Sequence, residues 1–139
     1  MPDIRHELEI AAPQDTVFRA LIYEDGLAGW WTDDTMVTRN EVRLGFEGGS
    51  VVFRMKPTRS VAPELLEWEC LGDQPEWKGT KLAFRLRPTR QNGTVLEFAH
   101  TGWRDATPYF SDCENAWPQV LERLKRYAET GKPDPFFAS

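Results

Sequence analysis

The sequence predicts an α+β domain, in which a curved antiparallel sheet of about seven strands wraps around a long C-terminal helix and two short helices follow the first strand. Three observations predict this class. Apolar and polar side chains alternate near the N-terminus and in several segments between Thr35 and Trp103, as in half-buried strands. Apolar residues recur at helical spacing just after the first of these segments. The segment after Thr107 carries one long apolar stripe, and an amphipathic helix there would cover the apolar face of the sheet.

The N-terminal third is predicted to form one strand and a pair of short helices. Ile4 to Ile10 alternates between apolar and charged positions, with His6 on the apolar face. Pro13 sets the backbone angle φ for a helix start, and apolar residues at helical spacing follow from Val17 to Ile22. A second short helix is predicted for Asp25 to Trp30.

The middle of the chain is predicted to consist of strands joined by turns. Alternation assigns to the inward faces of these strands Val42, Leu44, Phe46, Val51, Phe53, Met55, Leu66, Trp68, Cys70, Leu82, Phe84, Leu86, Leu96, Phe98 and His100. Glu47 to Gly49 and Gly72 to Pro75 are predicted turns, and Pro57 to Pro63 is a predicted loop. Asn92-Gly93 indicates a hairpin, because both residues tolerate a positive φ.

The C-terminal segment is predicted to be one long helix. Thr107 can cap its N-terminus, and Pro108 suits the first helical position. Pro118 should either kink the helix or mark the end of a looser first turn, and Gly131 is a favourable stop. The predicted apolar stripe consists of Cys113, Trp117, Val120, Leu121, Leu124, Tyr127 and Ala128.

Length and charge predict a single domain over residues 1–139 and argue against two classes of partner. A chain of 139 residues can bury a core without a disulfide or metal, since chains near 150 residues bury about 68% of their unfolded surface. The 17 basic and 22 acidic side chains give a net charge of −5, which argues against binding to nucleic acid or anionic membranes. No apolar run approaches the roughly 20 residues of a membrane-spanning helix, and the charged N-terminus has no signal-peptide core. We therefore expect a cytoplasmic protein without membrane insertion.

No metal site or cofactor is expected. The chain has two cysteines, Cys70 and Cys113, and two histidines, His6 and His100, with no Cys-x-x-Cys pair. These spacings fit no usual zinc site. Both thiols are expected to be free and buried.

Several short segments, in their order and spacing, resemble a known family. They are Ile10-Ala11-Ala12-Pro13, Val17 to Leu21, Gly29-Trp30-Trp31-Thr32, Leu66 to Cys70, Trp77 to Thr80, Gly93 to Phe98, His100 to Trp103, Cys113 to Trp117 and Leu124 to Gly131. Over nearly the whole chain they resemble the group named after the C-terminal domain of the activator of heat shock protein 90 ATPase. That group belongs to the START-related, birch-pollen-allergen-like (SRPBCC) superfamily. The resemblance implies a helix-grip fold, in which a ligand cavity often lies between sheet and helix.

Large rings are abundant, with 6 Trp, 3 Tyr and 8 Phe, and side chains of this size must be packed or used. The candidate ligand-binding residues are Trp30, Trp31, Phe53, Trp68, Phe84, Phe98, His100, Cys113 and Trp117. The resemblance places Trp30 and Trp31 at the mouth of a cavity. The inward rings of the strands either line a pocket for a flat or aliphatic molecule or simply fill the core.

His100 is the strongest candidate for chemistry, because alternation places it on the inward face beside Leu96 and Phe98. It could bond the polar end of a ligand or act as a general acid or base. The alternative is a structural histidine that bonds a backbone carbonyl or a Trp or Cys neighbour. Cys113 lies one helical turn from Trp117, and a Cys113–His100 pair would suggest nucleophilic chemistry. Because no oxyanion-hole element accompanies this pair, packing is the favoured role of Cys113.

Three functions remain open at this level. The leading one is a non-enzymatic module that binds a small hydrophobic or aromatic ligand, oriented by His100. The second is a cyclase- or dehydratase-like enzyme that uses His100 as general acid or base. The third is a protein–protein interaction module that regulates a chaperone. A protein partner or a second copy of the chain is a further expected contact.

Overall fold

One antiparallel sheet of seven strands organises the computed structural model, which describes residues 2–137. The strands are β1 (Ile4–Ile10), β2 (Asp34–Val37), β3 (Val42–Phe46), β4 (Val51–Val61), β5 (Leu65–Cys70), β6 (Lys81–Pro88) and β7 (Thr94–Thr101). Their order is β1-β7-β6-β5-β4-β3-β2, so the first and last strands are neighbours. The helices are α1 (Gln14–Ile22), α2 (Glu24–Trp30) and α3 (Pro108–Thr130). The predicted α+β class and element order are confirmed.

The ends of α3 follow the predicted capping signals. The Thr107 side chain accepts a hydrogen bond from the Phe110 backbone N–H at 3.2 Å, and Pro108 opens the helix. Gly131 ends it with a left-handed φ of 73°. Pro118 lies inside the helix, which runs without interruption across it.

The predicted loop from Pro57 to Pro63 is wrong, because β4 continues to Val61. Pro57 pairs with Trp68 of β5, and the register shifts between Pro57 and Arg59. Proline has no backbone N–H to donate to the neighbouring strand. The strand tolerates Pro57 because a bulge follows it, in which one residue is left out of the pairing. The sequence pattern indicated a break in the strand where the sheet has only a bulge.

The turns follow the sequence pattern more closely. Glu47–Gly49 forms a short turn between β3 and β4, in which Gly48 and Gly49 both adopt a positive φ. The hairpin between β6 and β7 also forms, and Pro88 pairs with Thr94 at its base. Within the Asn92-Gly93 pair, Asn92 adopts a positive φ of 59°.

The core lies where the inward face of the sheet meets the helices. Of the fifteen strand residues predicted to point inward, twelve are buried. The remaining three, Phe46, Val51 and Phe53, are half-buried and lie together on β3 and β4. The helix α3 buries Phe110, Trp117, Val120, Leu121 and Leu124, of which Phe110 was not in the predicted stripe. The half-buried trio marks the region where the helix leaves the sheet partly uncovered.

Gly29 lets α2 pack closely against α3. A Cβ at this position would lie 2.5 Å from Cε1 of the Tyr127 ring. Of the two tryptophans that follow, Trp31 stacks on Trp68 of β5, with ring centroids 6.4 Å apart. Trp30 and Trp31 are both buried, and their ring centroids are 5.4 Å apart in a stacked arrangement.

None of the helices within residues 2–137 is both long and apolar enough to cross a membrane.

A candidate ligand-binding groove

A groove of about 480 Å³ lies between the first half of α3 and the β3–β4 pair, and we call it the aromatic groove. Its lining residues are Trp31, Phe46, Val51, Phe53, Trp77, Tyr109, Asp112, Cys113, Ala116, Trp117, Val120 and Phe137. Aromatic rings make up most of this wall. Of the described residues that line it, only Asp112 carries a charge. The groove is therefore suited to an apolar or aromatic molecule.

Local periodicity explains why these side chains meet. On α3, Tyr109, Cys113, Trp117 and Val120 recur at spacings of three and four residues, and so share one face of the helix. On the sheet, Val51 and Phe53 alternate onto the same face, and Phe46 pairs directly with Val51. One helix face and one strand pair thus form opposite walls.

The rings of the wall hold one another in place. The ring centroids of Phe53 and Trp77 are 4.8 Å apart, and those of Phe46 and Phe137 are 4.9 Å apart. Trp31 meets Trp117 edge-on at 5.2 Å. Contacts of this geometry add stability beyond the burial of area. These contacts link the strands, the helix α3 and the C-terminal segment along the groove wall.

The nine predicted ligand-binding residues separate into two groups. The residues that line the aromatic groove are Trp31, Phe53, Cys113 and Trp117. The residues that fill the core behind it, each no more than 2% exposed, are Trp30, Trp68, Phe84, Phe98 and His100. Alternation predicts which side chains of a strand point inward. Whether an inward side chain is fully buried or lines the groove depends on the elements packed against it.

His100 is fully buried in a continuous chain of hydrogen bonds. The indole Nε1–H of Trp117 donates to His100 Nδ1 at 3.3 Å. Since Nδ1 accepts, the neutral ring carries its proton on Nε2, which lies 2.9 Å from Thr80 Oγ1. The Thr80 hydroxyl in turn donates to the Trp77 carbonyl at 2.6 Å. Each donor in this series of hydrogen bonds, from Trp117 through His100 to Thr80, has an acceptor.

These contacts leave His100 little capacity for ligand or proton chemistry. Burial lowers the pKa of His100 to about 3, so the imidazole is neutral near pH 7. Both ring nitrogens are already bonded. Trp77 and Trp117 each contact the His100 ring and also line the groove. His100 thus supports the groove wall from behind, as the structural alternative predicts.

A small polar cluster, consisting of Trp77, Tyr109 and Cys113, lies in the groove. Burial is the main cause that raises the pKa of Tyr109 and of Cys113, and each also influences the other across one helical turn. The indole of Trp77 lies close enough to both groups to act against the rise of both pKa values. Its Nε1 is buried, and the N–H forms no hydrogen bond of full geometry with either group. The three polar groups of the cluster thus lie within reach of one another.

Sequence reasoning missed two members of this cluster. Tyr109 precedes Cys113 by one turn of α3, so helical spacing alone could have identified it. Trp77 lies in the irregular segment between β5 and β6, where no periodicity applies. Nothing local in the sequence indicates that its ring reaches α3.

The ring nitrogens of His100 bond Thr80 and Trp117 and neither bonds a cysteine. Both cysteines are free and Cys70 is buried, but Cys113 is only half-buried, so its predicted burial is wrong. Burial raises the pKa of Cys70 to about 12, so its thiol stays protonated. Within residues 2–137, no group of three or more His, Cys, Asp or Glu side chains is arranged to hold a metal ion.

Comparisons with known proteins are consistent across sequence and structure. The family model described as Activator of Hsp90 ATPase homolog 1-like protein matches residues 11–129. The solution structure of the Aha1 dimer from Colwellia psychrerythraea is 30% identical, covers 95% of this chain and 99% of its own, and has a TM-score of 0.83. Proteins from Mesorhizobium loti and Bacillus halodurans are 20% and 22% identical, with TM-scores of 0.78 and 0.74. These two matches cover 90% and 93% of this chain and 95% and 98% of the other chains, and show a shared fold. No curated protein matched the chain.

Proposed function

The chain belongs to the Activator of Hsp90 ATPase homolog 1-like family, within the SRPBCC helix-grip superfamily, and on this premise we propose that it is a non-enzymatic binding module. Its ligand is a small hydrophobic or aromatic molecule held in the aromatic groove. The observation that carries this proposal is the groove itself, a space of about 480 Å³ walled by packed rings. Ligand sites of roughly 300–1,000 Å³ with mostly apolar walls are the usual size for small molecules.

The chemistry of the walls also favours binding over catalysis. A reaction of the cyclase or dehydratase type needs an acid or base within reach of the substrate. The pKa of His100 is about 3 and both its ring nitrogens are bonded behind the wall. The thiol of Cys113 is kept protonated by its raised pKa. The groove can therefore contribute binding energy through contacts with its rings, but neither His100 nor Cys113 offers a substrate an acid or base.

Filling the groove with a side chain provides a direct test. Ala116 lines the groove on α3, and Ala116→Phe should occupy the space that a ligand would take. Its neighbour Asn115 is exposed on the same helix and does not line the groove, so Asn115→Phe is the matched control. The probe is N-phenyl-1-naphthylamine, a neutral dye whose fluorescence rises on leaving water.

We expect the wild-type chain and the control to bind the dye, and Ala116→Phe to bind it at least about tenfold more weakly. Thermal melting of both variants checks that they fold. Equal dye affinity in Ala116→Phe and wild type would refute the groove as the binding site. Comparing native with denaturing mass spectra of the purified protein would then reveal a natural ligand as a mass excess lost on denaturation.

A second candidate function is regulation of a chaperone. It is favoured by the 30% identity to the Aha1 protein of Colwellia psychrerythraea over 95% of this chain. The test is the rate of ATP hydrolysis by purified heat shock protein 90 with and without the chain. Stimulation supports this function, and an unchanged rate with no complex on a sizing column contradicts it.

Self-association is a related proposal, because the same Aha1 structure is a dimer. Light scattering on a sizing column measures it directly. A mass near 32 kDa, twice the 16.0 kDa of the chain, would support it. A mass that stays at 16.0 kDa across a hundredfold range of concentration would contradict it.

A further inference from the structure

We propose that Phe137 forms an end wall of the aromatic groove and limits the length of the ligand that the groove accepts. This inference rests on the proposed binding function and deepens it, because it assigns a specificity-determining residue to the same site. The ligand is then an elongated apolar molecule that lies along α3 and ends against the ring of Phe137.

The groove is long in the direction of α3. Its lining residues on this helix extend from Tyr109 to Val120. Over that stretch the helix rises about 16 Å, at 1.5 Å per residue. The volume of about 480 Å³ is thus spread along three turns of the helix, which suits an extended molecule better than a compact one.

The C-terminal segment, residues 133–137, brings Phe137 to one end of this length. The guanidinium of Arg123 lies over the Phe136 ring, 5.7 Å from its centroid. Arg123 comes less than one turn after Val120, which is the last described residue of α3 in the groove lining. The ring of Phe137 is 4.9 Å from that of Phe136. Phe137 therefore lies at the Val120 end of the groove.

Backbone hydrogen bonds hold Phe137 in this position. Its N–H donates to the Trp31 carbonyl at 2.9 Å, and its carbonyl accepts from the Asp33 N–H at 3.2 Å. The Phe136 N–H donates to the Trp30 carbonyl at 3.0 Å. Since α2 ends at Trp30, the segment supplies donors to carbonyls that have no partner within the helix. Terminal residues become ordered when they are tied down in this way.

The Phe137 ring joins two walls of the groove and still has surface free for a ligand. It meets the Phe46 ring edge-on, with centroids 4.9 Å apart, and the residue is 40% exposed. Phe46 and Trp31 both line the groove. Phe137 thus connects the sheet wall at Phe46 with the wall at Trp31, and a ligand longer than the groove would meet its ring.

A homologous series from 1-hexanol to 1-dodecanol measures the length that the groove accepts. Each alkanol competes with N-phenyl-1-naphthylamine, and the loss of dye fluorescence gives its affinity for the intact chain at pH 7. Each methylene that enters the groove should strengthen binding about fourfold, and methylenes beyond the end wall should add little. We expect the affinity of the wild type to stop rising before 1-dodecanol, and we call that point the break.

Phe137→Ala should move the break to longer alkanols, so that the first alkanol beyond the wild-type break binds about fourfold more tightly. Phe137→Trp should move the break to shorter alkanols, and it supplies the test if the alanine variant does not fold. Tyr23→Ala is the matched control, because Tyr23 is an exposed aromatic residue that does not line the groove. It should keep the wild-type break, and thermal melting checks that each variant folds.

Hydrogen exchange measures whether the segment is held. The Phe137 amide should exchange at least about tenfold more slowly than in an unfolded chain, because it is bonded to the Trp31 carbonyl. Exchange at the unfolded rate would overturn the inference, since an unattached residue cannot limit a ligand.

The alkanol outcomes distinguish this inference from the proposed function. If the dye binds but no alkanol displaces it, if the wild type shows no break, or if the break is the same after Phe137→Ala, the inference is overturned and the groove remains a binding site. Failure of the dye and of every alkanol to bind the wild type would overturn both proposals.

Discussion

Replacing His100 with alanine should destabilise the fold rather than only weaken ligand binding. The ring is fully buried, and its loss leaves a cavity among Trp77, Trp103 and Trp117. It also leaves the Trp117 N–H without its acceptor. Large-to-small replacements in cores cost about 2–5 kcal/mol, and an orphaned buried donor costs about 1–3 kcal/mol. Because these effects overlap, we expect a total loss of about 3–5 kcal/mol in the free energy of unfolding.

The assay is urea unfolding at pH 7, followed by intrinsic tryptophan fluorescence. The matched control is His6→Ala, since His6 is half-buried on the neighbouring strand and its Nε2 has no hydrogen-bond partner. We expect the control to lose only about 1 kcal/mol. His100→Gln, which offers an amide oxygen and N–H in place of the ring nitrogens, should fall between alanine and wild type.

A loss after His100→Ala no larger than that of the control would refute the structural role of His100. That result, together with weakened dye binding, would favour a direct ligand contact instead. If His100→Ala does not fold, the glutamine variant supplies the comparison, because it keeps hydrogen-bonding groups at the site.

Two further predictions concern pH and packing. The folded pKa of His100, about 3, lies below its unfolded value of about 6.5, so its stabilising effect is complete above pH 6.5 and is lost as pH falls toward 3. From pH 6.5 to pH 5 the wild type should lose about 2 kcal/mol that His100→Gln does not lose, and parallel curves from urea unfolding would contradict this. Gly29→Ala should cost about 1–3 kcal/mol, because its Cβ would lie 2.5 Å from the Tyr127 ring. In a Tyr127→Ala background the same change should cost nothing, and an equal cost in both backgrounds would refute the contact.

Local patterns in the sequence determined the elements and their faces. The alternation of Leu82, Phe84 and Leu86 predicted a buried strand face, and Thr107 and Gly131 predicted the ends of the long helix. These signals depend on backbone geometry within a few residues, so they can be identified without knowing the neighbours. The family resemblance then supplied the arrangement of the elements, which the sheet order and the comparisons confirm.

Only the tertiary structure decided which inward rings fill the core and which line the groove. Phe84 and Phe53 have the same pattern in the sequence, yet Phe84 is fully buried and Phe53 lies at the edge that α3 leaves uncovered. Likewise, the hydrogen-bond partners of His100 are Thr80 and Trp117, which lie in two separate segments of the chain. Such contacts depend on how closely a helix packs against a sheet. The periodicity of the sequence predicts which side chains face inward, but it does not predict the distance between the two elements.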